Sequence, residues 1–388
     1  MLTPDASALQ SVRRRHELRV IETLVAHGTR TRRDLEADTK LSRTTLSTIV
    51  GDLRDRGVLA EIDPPTAVTG RNGRPTKHLS LNPSAGAAVG IELGRHRISV
   101  SLCGFNGSTV AHEQRSIPGT LGLDAKVQAA ADIVKGMIAD GRITPNAVGG
   151  VGVGIASRHA DPRALADGAE LQPDPRGASL APLRQLLPAP LMWDNNIRLA
   201  AMNYGLDGEE LLYVVLSAGI SSAIVTQGKL LRGGNGIAGE LGHMSVDFAG
   251  TPCWCGRRGC LESYLNEDNV LREAAHRGQA FPTVAELAKA AQAGDGIAGN
   301  IVDWAGELLA RAIVDACVLL DPARVVIAGE LSQFGDRLLA PSRRDLAAQQ
   351  LGLGPRTTTV ESAPYLPTAG SDGAARMALN HLILSDPA

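Results

Sequence analysis

One histidine and three cysteines fall within the stretch "HMSVDFAGTPCWCGRRGC", which runs from His243 to Cys260. One imidazole and three thiolates make a closed tetrahedral set of the kind that holds one structural Zn2+ per chain. Four protein ligands leave no position for a metal-bound water. His243, Cys253, Cys255 and Cys260 are therefore candidate metal ligands. The Cys-x-Cys spacing is tighter than in most zinc fingers, but Gly250, Pro252, Gly256 and Gly259 permit a sharp loop. Reduced thiols or a redox pair is the other reading of the same residues. The remaining cysteines, Cys103 and Cys317, lie in apolar stretches and read as buried core thiols.

A chain of 388 residues is long for one compact domain, so two or three are expected. Apolar residues make up 44% and aromatics only 3%, which implies a core built from Val, Leu, Ile and Ala. The formal net charge of −2 excludes a strong overall pull toward nucleic acid, but the charge is uneven. Residues 1–80 hold 14 Lys and Arg against 10 Asp and Glu, and the rest holds 25 against 31. A basic head on an acidic body points to one end that meets nucleic acid and one that does not. No run of about 18 apolar residues is present, so no membrane span is expected. The opening "MLTPDASALQSVRRRHEL" lacks the apolar segment of a signal peptide. The expected compartment is the cytoplasm, where clustered cysteines are more often metal ligands or redox groups than disulfides.

The elements of the head, residues 13–82, can be placed from periodicity and caps. "RRRHELRVIETLVAHG" puts Leu18, Ile21, Leu24 and Val25 at helical spacing, with Gly28 as the stop. "TRRDLEADTK" is a short second helix capped by Thr31, with Leu35 inward. After a tight turn, Ser42 caps a third helix whose stripe is Leu46, Ile49, Val50 and Leu53, ending at Gly57. Two short strands follow, "VLAEI" and "KHLSLN", joined by a Pro- and Gly-rich segment with Arg71 and Arg74. Three helices and a basic hairpin describe a winged helix-turn-helix. On the third helix, Arg43, Thr44, Thr45, Ser47 and Thr48 lie opposite the apolar stripe, where they can approach base edges and phosphates of double-stranded operator DNA. The wing arginines can enter a minor groove. A solvated helix face used for protein contact is the bland alternative.

The body is α/β. "AAVGIELGRHRISVSLCGFNGSTV" reads as two strands joined by a turn at Gly94–Arg97, then a turn at Asn106–Gly107, "VQAAADIVKGMIADG" as a helix and "AVGGVGVGIA" as a buried strand. "PLMWDNNIRLAAMNYG" is a strand entering a helix, and near residue 211 the pattern restarts with "LLYVVLSAG", "SSAIVTQGKL" and later "RVVIAGE". The recurrence predicts two α/β lobes, 85–195 (completed by a C-terminal helix near 370–384) and 196–368, the second holding the cysteine loop.

"GIAGELGHMSVD" followed by "CWCGRRGCLESY", together with "DNNIRLAAM", "VVIAGELS" and the winged head, resembles the ROK family of repressors and sugar kinases. The resemblance spans nearly the whole chain and implies an actin-like, two-lobed body of the ASKHA type. It implies that the zinc orders a loop beside a sugar site, with Asn195, Glu240, His243 and Glu262 at positions that contact sugar hydroxyls. Glu240 read alone is a turn carboxylate and Glu262 a helix N-terminal charge. The resemblance also marks departures. Family kinases carry an aspartate base in an Asn-Asp motif, where this chain has Asn195-Asn196, and an amide cannot accept the proton. Their Asp-x-Gly-Gly-Thr phosphate loop is Glu92-Leu93-Gly94-Arg95-His96 here, and their Gly-Thr-Gly is Ser217-Ala218-Gly219. Around Ala156-Ser157-Arg158 the sugar-side segment also differs, and Arg158, Arg198 or Trp193 either reshapes the pocket or packs. The expected protein is a non-enzymatic regulator, most simply a repressor. It binds operator DNA and a sugar or sugar derivative, and it forms a homodimer or homotetramer with no membrane partner. A sugar kinase with an appended DNA-binding head, or a ligand-independent DNA-binding protein whose body only oligomerises, are the rivals.

Overall fold

A computed structural model describes residues 6–63, 77–155, 180–204, 209–349, 357–363, 366 and 368–384. In the head, α1 (Ala6–His27) begins ahead of its apolar stripe and ends at Gly28, whose φ of 72° reverses the chain. α2 (Arg32–Thr39) opens with a reciprocal capping box between Thr31 and Asp34 and stops at Lys40 in the left-handed region. α3 (Arg43–Asp55) is capped by Ser42, which accepts the Thr45 N–H, and buries Leu46, Ile49, Val50 and Leu53. Strands β1 (Leu59–Ile62) and β2 (His78–Leu81) pair antiparallel, and Leu59, Leu79 and Leu81 close the core over the helices. The nearly buried Glu17 of α1 meets Arg13, Arg14 and Arg56, which ties α1 to the end of α3. Arg71 and Arg74, which the sequence reading assigns to the wing, lie outside the described residues, as does Arg158.

The chain forms two compact units. The first joins the head to a five-stranded sheet made of β3 (Ala87–Leu93), β4 (Arg97–Gly104), β5 (Thr109–Ser116), β6 (Val148–Ile155) and β7 (Leu191–Asn195). The order is β5-β4-β3-β6-β7, with β3, β4 and β5 antiparallel and β6 and β7 parallel to β3. The crossover from the antiparallel part runs through α4 (Leu123–Ala139), as a parallel return requires. α4 covers one face through Val127, Ile133, Val134 and Met137. The last helix, Ala369–Leu384, covers the other at very close range. A Cβ at Gly90 would run into the Ser371 carbonyl, and one at Gly152 into that of Ala374. Phe105, just past β4, packs both against the head core and against the cluster of Cys103, Ala375 and Leu379.

The second unit repeats the plan. β8 (Leu211–Leu216), β9 (Ile220–Thr226), β10 (Lys229–Leu230), β11 (Arg324–Ala328) and β12 (Thr359–Ser362) follow the order β10-β9-β8-β11-β12, antiparallel and then parallel in the same places. The 25-residue helix Gly296–Leu320 supplies its crossover and buries Ile301, Val302, Leu309 and Ile313. Two lobes with one strand plan match the recurrence in the sequence. Cys103 and Cys317 are buried, as their apolar surroundings imply. Among the described residues no helix is long and apolar enough to cross a membrane.

Candidate metal centre and ligand site

The cysteine loop folds back on itself between a short 3-10 turn, Leu241–His243, and the one-turn helix Glu262–Leu265. Ser245 bridges to Cys260 and Pro252 to Arg258, and the Val246 N–H donates to the Gly259 carbonyl at 2.9 Å. The arms are so close that a Cβ at Gly259 would strike the Asp247 carbonyl. The ligand atoms of His243, Cys253, Cys255 and Cys260 all lie within 4.8 Å of one another. Cys255 and Cys260 sulfurs are 3.6 Å apart, and the Cys253 sulfur is 3.7 Å from His243 Nδ1. Tetrahedral bonds of about 2.3 Å give edges of about 3.8 Å, so the set has the dimensions of one ion. The cysteines are free, and 3.6 Å is far beyond a disulfide bond. Burial pushes the Cys260 thiol up to about 12. Burial also raises Cys253, but hydrogen bonds from Cys255, Ser263 and Cys260 bring it down to about 7. Thiols competing for protons in this way are what a divalent cation relieves by displacing them. The four residues lie close enough together to bind a metal ion, compatible with zinc.

Sequence reasoning did not single out Trp254, the residue between two of these cysteines. Its ring meets His243 edge-on with centroids 4.8 Å apart, and its Nε1–H donates to Glu262 Oε1 at 2.6 Å. The other Glu262 oxygen accepts the Ile220 N–H at 2.9 Å. The metal loop therefore fixes Glu262 through an indole. Glu240 is exposed, yet the surrounding protein desolvates its carboxyl and pushes its pKa up, opposed by His243 and Arg198. Arg198 is almost wholly buried and donates to the Gly236 carbonyl, and Trp193 packs against the first sheet's core. Glu240, His243 and Glu262 belong to the second unit and Asn195 to the first. Asn195 ends β7, buried, with its N–H on Asp194 Oδ1 at 2.7 Å.

The stretches that the family resemblance aligns with a kinase base and phosphate loops are occupied as follows. Asn196 donates from Nδ2 to Glu92 Oε1 at 3.4 Å. Burial pushes the Glu92 carboxyl up, against the pull of Arg97. In the β3–β4 turn, Lys126 is 2% exposed and donates to the Gly94 carbonyl at 2.8 Å. Burial and then Arg95 hold its ammonium below the ordinary lysine range. His96 fills the space over Gly119, where a Cβ would meet its ring. In the β8–β9 turn, Ser217 donates to Glu267 at 3.2 Å, and Glu262 occupies the Ile220 N–H. Burial, and then Glu330, push the Glu267 carboxyl up.

In the head, Arg43, Thr44, Ser47 and Thr48 are exposed on α3 and Thr45 is half-buried, opposite the core stripe. Ser42 and Thr45 hydroxyls lie 2.8 Å apart, so Thr45 is partly committed to the cap.

A winged helix-turn-helix on a duplicated α/β body with a Cys3His cluster defines a class of regulators and kinases. A profile of the ROK family matches residues 88–381, and the chain belongs to this family. The xylose repressor of Caldicellulosiruptor bescii is 24% identical over 349 residues, 84% of this chain and 86% of that protein. The glucokinase of Halalkalibacterium halodurans is 32% identical over 182 residues, covering 42% of this chain and 55% of its own. The crystal structure of a ROK family transcriptional regulator, a homologue of the E. coli MLC protein, superposes with a TM-score of 0.75 at 20% identity. It covers 96% of this chain and 98% of that one. The likeness to the repressor takes in most of the chain, and the glucokinase of Streptomyces coelicolor is 28% identical over 285 residues, 67% of this chain and 86% of its own.

Proposed function

We propose that the chain is a cytoplasmic ROK-type transcriptional repressor that senses a sugar or sugar derivative and has no kinase activity. Arg43, Thr44, Thr45, Ser47 and Thr48 enter the major groove of operator DNA, and Arg71 and Arg74 of the wing reach the minor groove. A single zinc ion holds His243, Cys253, Cys255 and Cys260. Asn195, Glu240, His243 and Glu262 bind effector hydroxyls, for which carboxylates are strong acceptors. His243 turns Nδ1 toward Cys253, which leaves Nε2 for the ligand. Paired heads in a homodimer or homotetramer read a palindrome. The effector acts by preferring one arrangement of those heads.

The observation that carries this reading is the fusion of a DNA-reading head to a kinase-like body whose base position, Asn196, donates to Glu92. Footprinting on genomic fragments, run with a panel of sugars and zinc-loaded protein, is expected to show a palindromic site. At least one sugar should change its occupancy. ATP-dependent phosphorylation of the same sugars is expected to be absent. Robust turnover abolished by Asn196→Ala would establish the kinase with an appended head instead. A footprint indifferent to every sugar, without any thermal shift, would reduce the body to an oligomerisation module.

A further inference from the structure

The cations of the head fall into two sets. Of the twelve lysines and arginines described between residues 6 and 81, seven form ion pairs within the head, and Arg19 donates to the Thr39 carbonyl. Arg32 and Arg54, for instance, converge on Glu61 of β1 at 3.0 and 3.1 Å, which fastens α2 and α3 to the wing. Among the described residues, Arg15, Arg33, Lys40 and Arg43 have no carboxylate partner and are exposed. Three of these four lie on the helix-turn-helix itself: Arg33 in the first turn of α2, Lys40 at its end, and Arg43 opening α3.

Arg33 and Lys40 are seven residues apart, two turns of helix, on the side of α2 opposite the buried Leu35. That separation is about 10 Å along the axis, the rise of roughly three phosphates on one strand of duplex DNA. The other charges of α2 do not cancel them. Asp34 is committed to Thr31 and Asp38 to Arg30, and Glu36 forms an ion pair with neither cation. Resting on the operator-binding reading above, we infer that Arg33 and Lys40 are a phosphate clamp. They hold the sugar-phosphate backbone while α3 reads the bases. Arg32 and Arg54, although equally basic in the sequence, are fasteners of the wing and make no phosphate contact.

Binding to a random-sequence duplex, followed by fluorescence anisotropy across a salt series, tests this without knowing the operator. Each phosphate contact removed lowers the slope of log affinity against log salt by about 1. The full-length Arg33→Gln/Lys40→Asn variant is expected to lose about 2 from that slope, with an unchanged melting profile. Asparagine is chosen because it accepts the left-handed backbone at residue 40. The Arg32→Gln/Arg54→Gln variant is expected to keep the wild-type slope. A wild-type slope in the first variant, or an equal loss in the second, overturns the clamp and leaves the operator reading intact. A wild-type protein without salt-dependent duplex binding overturns both.

Discussion

The β3–β4 and β8–β9 turns occupy the same place in two sheets of identical strand order, yet they are finished by opposite means. The first is closed by side chains from the turn and from other elements of its unit: His96 of the turn over Gly119, Lys126 of α4 on the Gly94 carbonyl and Asn196, after β7, on Glu92. The second is braced from outside by a loop that carries a metal-binding set, through Trp254 to Glu262 and from Glu262 to the Ile220 N–H. A duplicated scaffold supplies two equivalent turns. One is held by side chains of neighbouring elements, and the other by a loop whose four His and Cys residues lie close enough together to bind a metal ion.

Three experiments break or sharpen that contrast. The largest effect is expected from Cys255→Ser. Metal analysis should fall from one ion per chain to near zero, and hydrogen exchange should rise over residues 240–262 but not over β3 and β4. Equal loss of protection in both lobes, or unchanged metal content, removes the asymmetry. Next is Lys126→Ala, which strands the Gly94 carbonyl and opens a cavity at a cost of about 2–4 kcal/mol in thermal or denaturant unfolding. Metal content should be unaffected, and a neutral result would show that the first turn does not depend on its lysine. The smallest is Glu92→Gln. Because burial raises the Glu92 pKa in the folded state, its stabilising contribution is complete below the ordinary glutamate value and is lost as pH rises through the raised one. The glutamine variant should match wild type near pH 4 and melt higher at pH 7. A wild-type melting curve for it at both pH values removes the buried acid from the account.

Much of this was legible in the sequence where periodicity and ligand type speak directly. The stripe Leu46, Ile49, Val50 and Leu53, the caps Thr31 and Ser42, and the clustering of His243 with Cys253, Cys255 and Cys260 need only spacing and chemistry. The edge strand Thr109–Ser116 was not, because its largely exposed and polar run has no apolar alternation to read. Nor were Trp254, Lys126 and Glu267 visible, since each acts through a partner distant in sequence or through a burial that composition does not record. The division of the head's arginines into paired and unpaired sets is likewise a property of the fold. Arg32 and Arg33 are neighbours in the sequence, and only the first reaches Glu61.

The final helix has a consequence for how the chain is made. Head residues can pack as soon as β2 leaves the ribosome, but the glycine-lined face of β3 and β6 waits for Ala369–Leu384. At 5–20 residues per second, that face stays open for roughly 10–50 s after β6 is synthesised. Until then Cys103 lacks the Ala375, Ala378 and Leu379 that cover it in the folded protein, so the head can be finished while the lobe behind it is still unsealed.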